Sequence, residues 1–420
     1  MRFNTFKLEE VCELITDGSH SSPKAVTNGY KMLSVKDMEA FDFNYENAKQ
    51  ISEEDYIKLK KGNCQPIKND VLIAKDGNSC LEYCFVFREN KPVVLLSSIA
   101  ILRPNLDVIN PYYLMYYLGM ESTKKALRDG YLSGSAIPRV VLKDFKKFPL
   151  NIPNIEVQNR IVNLIRNIND KMENNNKLIG NLEQLSQTLF KHWFIDFEFP
   201  NEQGQPYKTS GGEMMESELG EIPKGWECLA LYDLADYING TSFKKNEIGN
   251  VADGLPIIKI AELKNGFSNN TKYFVGEKDK KYYLENGDIL FSWSGNPYTS
   301  IDTFFWTKGQ GVLNQHIFKV VSDKYPQQLI YTLLKYFKPE FSRIASNKQT
   351  TGLGHVTVKD LKNLKITLPK NTVQMKKLIA LVDLILELNL ENHKLVDIRD
   401  ILLPKLLSGE IEIPDELVVD

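Results

Sequence analysis

Few residues in this chain stand at spacings that could do covalent chemistry. Asp253 followed by Glu262-Leu263-Lys264 has the order of a metal-dependent nuclease, in which carboxylates hold a cation at the scissile phosphate. The corresponding stretch nearer the N-terminus, Asn28 with Asp37 and Glu39, does not repeat it, and the spacing is common by chance. Asn296-Pro297-Tyr298 approaches the Asn/Asp-Pro-Pro-aromatic loop that holds a flipped base in amino-methyltransferases. It lacks the second proline and reads as a turn after the strand-like DILFSW. Gly352-Leu353-Gly354 follows polar residues rather than a strand, so it reads as a turn and not a nucleotide loop. Cys80 and Cys84 could be half of a metal site, but no second Cys/His pair stands at ligand spacing. The histidines include no i, i+4 pair, and nothing suggests a Ser-His-Asp triad. The expectation is a chain with no catalytic residues, no metal and no cofactor of its own.

The bulk properties bound the remaining classes. The chain has 420 residues, 42% apolar and 25% charged, with a net charge of −2. That suits two or three globular domains. It means that any contact with nucleic acid must come from local clusters. The N-terminal MRFNTFKLEEVCELITDG lacks an apolar signal core, and no apolar run approaches ~18 residues. Cys12, Cys64, Cys80, Cys84 and Cys228 are scattered and odd in number, as reduced thiols in a cytosol would be. A cytoplasmic protein with no membrane partner is expected.

What must position any binding residues is a unit written twice. RVVLKDFKKFPLNIPNIEVQ (139–158) and HVTVKDLKNLKITLPKNTVQ (355–374) align at an offset of 216, with Lys143-Asp144 on Lys359-Asp360, Pro153 on Pro369 and Val157-Gln158 on Val373-Gln374. Upstream, KNDVLIAKDGN echoes ENGDILFSWSGN, GYKMLSVKDM echoes GLPIIKIAEL, and PYYLMYYL echoes PQQLIYTLL. Their slightly different offsets indicate loop insertions. Each unit begins with short strand-like runs broken by Gly, Asn and Asp, together with two helical stretches, which predicts an α+β globule. Each ends in one long helix. Ile161, Ile165, Ile168, Met172, Ile179, Leu182 and Leu189 form a heptad stripe in the first helix. Leu381, Leu384, Leu388, Leu395, Ile398 and Leu402 form one in the second. The polar interruptions Asn175 and Glu391 coincide at the same offset. Two matched stripes predict a coiled coil, and if it is antiparallel the second helix returns to the first globule. The expected layout is a pseudo-two-fold dumbbell with neighbouring termini. It comprises a first globule at 1–152, a helix at 153–198, a linker at 199–221, a second globule at 222–368, and a second helix with its tail at 369–420.

These features resemble the specificity subunits of Type I restriction-modification systems. The resemblance is carried by ELGEIPKGWE (218–227), by QPYKTSGGEM in the linker before it, by the twice-written strand-Pro-Gln-helix junction, by the closing LPKLLSGEIEIP and by Asn314-Gln315. The first globule departs at the last point, with Ser97-Ser98. The resemblance implies two target-recognition domains, each reading half of a split site in double-stranded DNA. It also implies two methyltransferase subunits docked on the helices, and motor-nuclease restriction subunits. S-adenosylmethionine would lie on the methylase partner, and ATP and Mg on the motor-nuclease. The alternatives are a recognition subunit of a Type II-like methyltransferase-nuclease and a coiled-coil adaptor without a DNA role.

Loops between strands are the places to seek DNA contacts, because phosphate needs cations and bases need edge donors and acceptors. The first-domain candidates are Ser19, His20, Ser21, Lys24, Lys75, Asp76, Asn78, Ser135 and Arg139. The second-domain candidates are Thr241, Ser242, Lys244, Lys245, Trp293, Ser294, Asn296, Asn314, Gln315, His316, Lys348, Gln349 and Thr350. Residues 222–370 contain a single arginine, Arg343, among many lysines and amides. Since arginine is the usual guanine reader, the second half-site is expected to lean on A·T pairs.

Overall fold

The computed structural model describes residues 2–133, 138–250, 254–268, 270–349, 352–370 and 375–414. The chain divides into two compact units, Met1–Asp170 with Asp397–Asp420, and Lys171–Val396. The division cuts both long helices, so each helix contributes to both units.

In the first unit the strands Cys12–Asp17, Ile99–Pro104, Val71–Ala74 and Cys84–Val86 form an antiparallel sheet in that order. All of Val71–Ala74 is buried, which explains an unbroken apolar run where a half-exposed strand would alternate. A smaller sheet joins Lys49–Ile51, Tyr30–Leu33 and Val93–Leu95, the last two in parallel. Phe3–Lys7 pairs antiparallel with Pro149–Pro153, tying the chain start to the strand that leads into the long helix. The helix Pro111–Gly119 starts where Asn110 accepts the N–H groups of Tyr112 and Tyr113 and proline fills a first-turn position that needs no donor.

The second unit repeats this plan. Asp236–Asn239, Ile317–Val321, Ile289–Ser292 and Asp302–Phe305 form its antiparallel sheet. Leu255–Ile258 runs parallel to Gly311–Leu313, and Trp226–Ala230 pairs with Lys365–Pro369. The short strands Ile248–Gly249 and Tyr283–Leu284 widen the smaller sheet to five. Even a turn is copied: Asp70 accepts the N–H of Ile67 and Asp288 that of Glu285, each at 2.8 Å. A cation on a neighbouring strand neutralises each carboxylate, Arg103 at 2.9 Å in the first unit and Lys319 at 2.8 Å in the second. The fold is α+β and duplicated.

The first long helix spans Ile155–Phe190 and the second Lys376–Ser408. Gln158 explains the Pro-Gln junction. Fully buried, its amide donates to the carbonyls of Val108 (3.1 Å) and Pro153 (2.9 Å) and accepts the N–H of Asn110 (3.0 Å). Its sequence partner Gln374, with Val373, lies outside the described residues. The core of the first unit includes Tyr113, Phe145, Ile161 and Ile165, and it takes in Leu406, Leu407 and Ile413 from the end of the second helix and beyond. The core of the second unit includes Phe291, Phe341, Leu378 and Val382. It takes in Phe190, Trp193 and Phe194, where the first helix widens to a π turn over Lys191–Ile195. Each globule is therefore completed by a helix that begins in the other half of the sequence.

Within the second unit the helices run antiparallel. Leu182 clusters with Ile385 and Leu388, while Asn175 bonds Glu391 (2.7 Å) and Asn392 (2.9 Å). Asn392 in turn donates to Asn176 at 2.9 Å, so residues equivalent by the repeat meet one another. Along the first helix Ile161, Ile165 and Leu182 are buried, and Ile168, Met172, Ile179 and Leu189 are half-buried. The second helix departs from the expected stripe. Leu384 is 38% and Ile398 45% exposed, whereas Leu378, Val382, Ile385 and Leu388 are buried, with Leu381, Leu395 and Leu402 between. This helix is apolar around much of its circumference, so several stripes fit its sequence. The globule core claims the one containing Leu378 and Val382.

Candidate nucleic-acid interface

In the first domain four segments distant in sequence meet at one end of the larger sheet. A parallel bridge sets Ser19 beside Leu96, and an antiparallel bridge sets Asp76 beside Arg139. Lys75 is only 1% exposed, with its ammonium 3.4 Å from Asp17 and 3.0 Å from Asp76. A buried ammonium is tolerated only when paired, and here two carboxylates pair it. The polar cluster continues outward to the His20 ring, 3.3 Å from Asp17, and to Arg139, whose Nε is 3.2 Å from Asp76. His20 and Arg139 are well exposed, their side chains 68% and 50% accessible.

The second domain builds the same corner from other side chains. A parallel bridge sets Thr241 beside Asn314, and Ser294 pairs with His355. At the position of Lys75 stands Trp293; the following strand returns its N–H to both in the same way, Val140 to Lys75 and Val356 to Trp293, each at 2.8 Å. At the position of Asp17 stands Asn239, which accepts the indole N–H of Trp293 at 3.1 Å. The Trp293 ring lies 5.6 Å from that of His316, and the Gln315 amide is 3.4 Å from the His316 ring nitrogen.

The candidates fall into three groups. Exposed are His20, Ser21, Lys24, Asn78, Arg139, Ser242, Lys244, Lys245, Asn296, Gln315, His316 and Gln349. Half-exposed are Asp76, Thr241, Trp293, Ser294, Asn314 and Lys348. Ser19 and Lys75 are buried, so these two support the surface instead of forming it. Lys348 is also occupied, held 2.7 Å from Asp360. Burial works against the Asp360 anion, but Lys348 and the hydroxyl and N–H of Thr357 hold its carboxyl below the usual range. Ser135 and Thr350 lie outside the described residues. The bridges also shift the expected Ser97-Ser98 correspondence by one: Asn314 stands where the first domain has Leu96, and Gln315 where it has Ser97. Sequence reading missed Asp17, Asn239 and His355. The first two end their strands at equivalent places, and His355 opens the repeat that Arg139 opens.

Several of the residues at spacings that suggest catalysis have structural work. Glu262 is buried and accepts the N–H of Lys259 (3.1 Å) and the hydroxyl of Thr271 (3.2 Å). Asp37 makes the corresponding cap in the first domain, accepting the N–H and hydroxyl of Ser34 at 2.8 Å each. Asp253 lies outside the described residues. Asn296 accepts the N–H groups of Tyr298 and Thr299, an Asx turn as the sequence suggested. Burial pushes the Cys80 thiol up to about 11 and the Cys84 thiol up to about 12, against thiolate formation. Among the described residues no group of three or more His, Cys, Asp or Glu could hold a metal ion. Among them too, no helix is long and apolar enough to cross a membrane.

Comparison with known proteins bears on a fold that is the same unit twice. The model of the Type I restriction modification DNA specificity domain matches residues 2–184 and again residues 223–399. The chain belongs to this family. Its relatives include the Type I restriction enzyme HindI specificity subunit of Haemophilus influenzae, 25% identical, with 88% of this chain and 96% of that one aligned. The MjaIX specificity subunit of Methanocaldococcus jannaschii is 29% identical over 74% of this chain and 71% of its own length. The crystal structure of a Type I S subunit from M. genitalium has the same fold, with a TM-score of 0.50 at 16% identity over 97% of this chain and 96% of that one. The protein is a specificity subunit of a Type I restriction-modification system with two target-recognition domains. DNA and the other subunits of such a system are its partners.

Proposed function

We propose that this specificity subunit reads a two-part site in double-stranded DNA, one domain to each half, and catalyses nothing itself. In this reading it works in the cytoplasm and carries two methyltransferase subunits, which hold S-adenosylmethionine. Motor-nuclease subunits, which use ATP and Mg, join for restriction. The observation that carries the reading is the pair of corners: one backbone arrangement, built twice, with different exposed side chains. A duplicated enzyme would repeat its reactive groups, whereas a duplicated reader must vary them to read two different sequences.

The test begins with methyl transfer to DNA from S-adenosylmethionine, with and without the methyltransferase partner. Transfer is expected only with the partner, and activity of the purified chain alone would refute the non-catalytic reading. Next, residues 1–152 are exchanged for the same domain of a relative, and methylated adenines are mapped by long-read sequencing. One half of the recognised site should change and the other persist. Loss or change of both halves in a folded complex would count against separate readers.

A further inference from the structure

We propose that Arg139 is the guanine-reading residue of the first target-recognition domain, and that Asp76, braced by buried Lys75, is its positioning residue. The proposal rests on the two-part reading above and deepens it by assigning one base class to one half-site.

The argument starts from the cost of Lys75. A lysine with 1% of its side chain exposed cannot reach a phosphate, and burying its charge is expensive. A plain surface ion pair between Asp76 and Arg139 would need no such support. What the lysine supplies is a fixed place for Asp76, both of whose oxygens lie within 3.1 Å of the ammonium. Asp76 then faces Nε of Arg139 at 3.2 Å, and the backbone bridge between the two residues fixes their separation. With Nε turned to the carboxylate, the terminal nitrogens form the outward edge, which matches O6 and N7 of guanine.

Charge selects a base over the backbone. Asp17, Asp76, Lys75 and Arg139 sum to zero, so the cluster has no surplus positive charge to attract phosphate in general. A carboxylate beside the guanidinium repels phosphate but tolerates the neutral edge of a base. The second domain has His355, Ser294 and Trp293 at the matching places, with no guanidinium among them.

The experiment uses the complex with its methyltransferase subunits and a DNA library randomised over both half-sites. The intact complex should require guanine at one position of the first half. Arg139→Ala should lose that preference by roughly 5- to 150-fold at that position alone, the range of one bidentate contact. Arg139→Lys should lose most of it too, because an ammonium keeps the charge without the fork. Asp76→Asn should relax the same position while leaving Arg139 in place. An unchanged motif in Arg139→Ala, or full discrimination in Arg139→Lys, overturns the proposal. So does a uniform loss across all sequences, the mark of a phosphate contact. A wild-type complex that shows no two-part motif would instead overturn the proposed function.

Discussion

The two target-recognition domains meet one structural demand in opposite ways. Where the first strand of the larger sheet ends, the side chain must close against the residue that follows another strand of that sheet at the same corner. In the first domain Asp17 closes on the buried ammonium of Lys75, and in the second Asn239 closes on the indole of Trp293. The lysine solution pays for two desolvated charges and must recruit a second carboxylate, Asp76, which in turn orders Arg139. The tryptophan solution is a large apolar ring with one neutral hydrogen bond, and the groups around it are imidazole, amide and hydroxyl. The backbone pairings beneath are shared, so the scaffold leaves these side chains free to vary. What differs between the domains is the chemistry at the corners proposed to read bases.

The largest effect should come from removing the lysine. Lys75→Met strands Asp17 and Asp76 with one less cation and should destabilise the first unit by about 3–5 kcal/mol. Denaturant unfolding would give the loss, and hydrogen exchange across Val71–Ala74 would place it. Converting the first domain to the other solution, Asp17→Asn with Lys75→Trp, should recover part of that loss. A loss below about 1 kcal/mol for Lys75→Met would mean that the two closures are not equivalent supports.

The tryptophan side should be less sensitive because its failure leaves no charge behind. Trp293→Phe keeps a ring but removes the donor to Asn239 and should cost about 1 kcal/mol in unfolding experiments. A loss equal to that of Lys75→Met would erase the distinction between the domains.

A smaller effect separates exposed lysines from the cations within the corner. Lys24→Ala in the first domain and Lys245→Ala in the second should each weaken DNA binding of the assembled complex for all sequences alike. Each should reduce the slope of log affinity against log salt by about 1 if it neutralises a phosphate. The mapped site should not change. A changed base preference would move that lysine into the reading set.

Much of this arrangement could be read from the chain and some could not. The duplication was legible because the Pro-Gln junction and the heptad stripe recur without insertion. The turn at Asn296 was legible because local hydrogen bonds depend on local sequence. The pairing of Asp17 with Lys75 was not, since it joins strands whose loops have different lengths in the two copies. Nor was the burial of Lys75, which looks like any loop lysine until Asp17 and Asp76 are both beside it. The second helix misled for a different reason: with Leu378, Ile379, Leu381, Val382, Leu384 and Ile385 so close together, periodicity alone does not choose a face.

The smallest effect concerns the place where the two copies touch. Asn175 is 3% exposed and donates to both Glu391 and Asn392, while Lys171 stands 3.3 Å from the same Glu391. Asn175→Leu gives up two hydrogen bonds, each worth about 1 kcal/mol net. It gains apolar burial of about 1–2 kcal/mol, and Glu391 keeps Lys171. The net change in stability should stay within about 1 kcal/mol. A polar residue in a helix seam earns its place by fixing register, since an all-apolar seam can slide. Asn175→Asp tests the same point from the other side. It keeps the shape but sets a carboxylate against Glu391, which should cost about 1 kcal/mol at low salt and less as salt is added. If Asn175→Leu were instead strongly destabilising, the polar layer would be a support of the helix pair and not only its register mark. If Asn175→Asp were neutral at low salt, Glu391 would not face residue 175 closely enough for the repeat-related residues of the two helices to be partners.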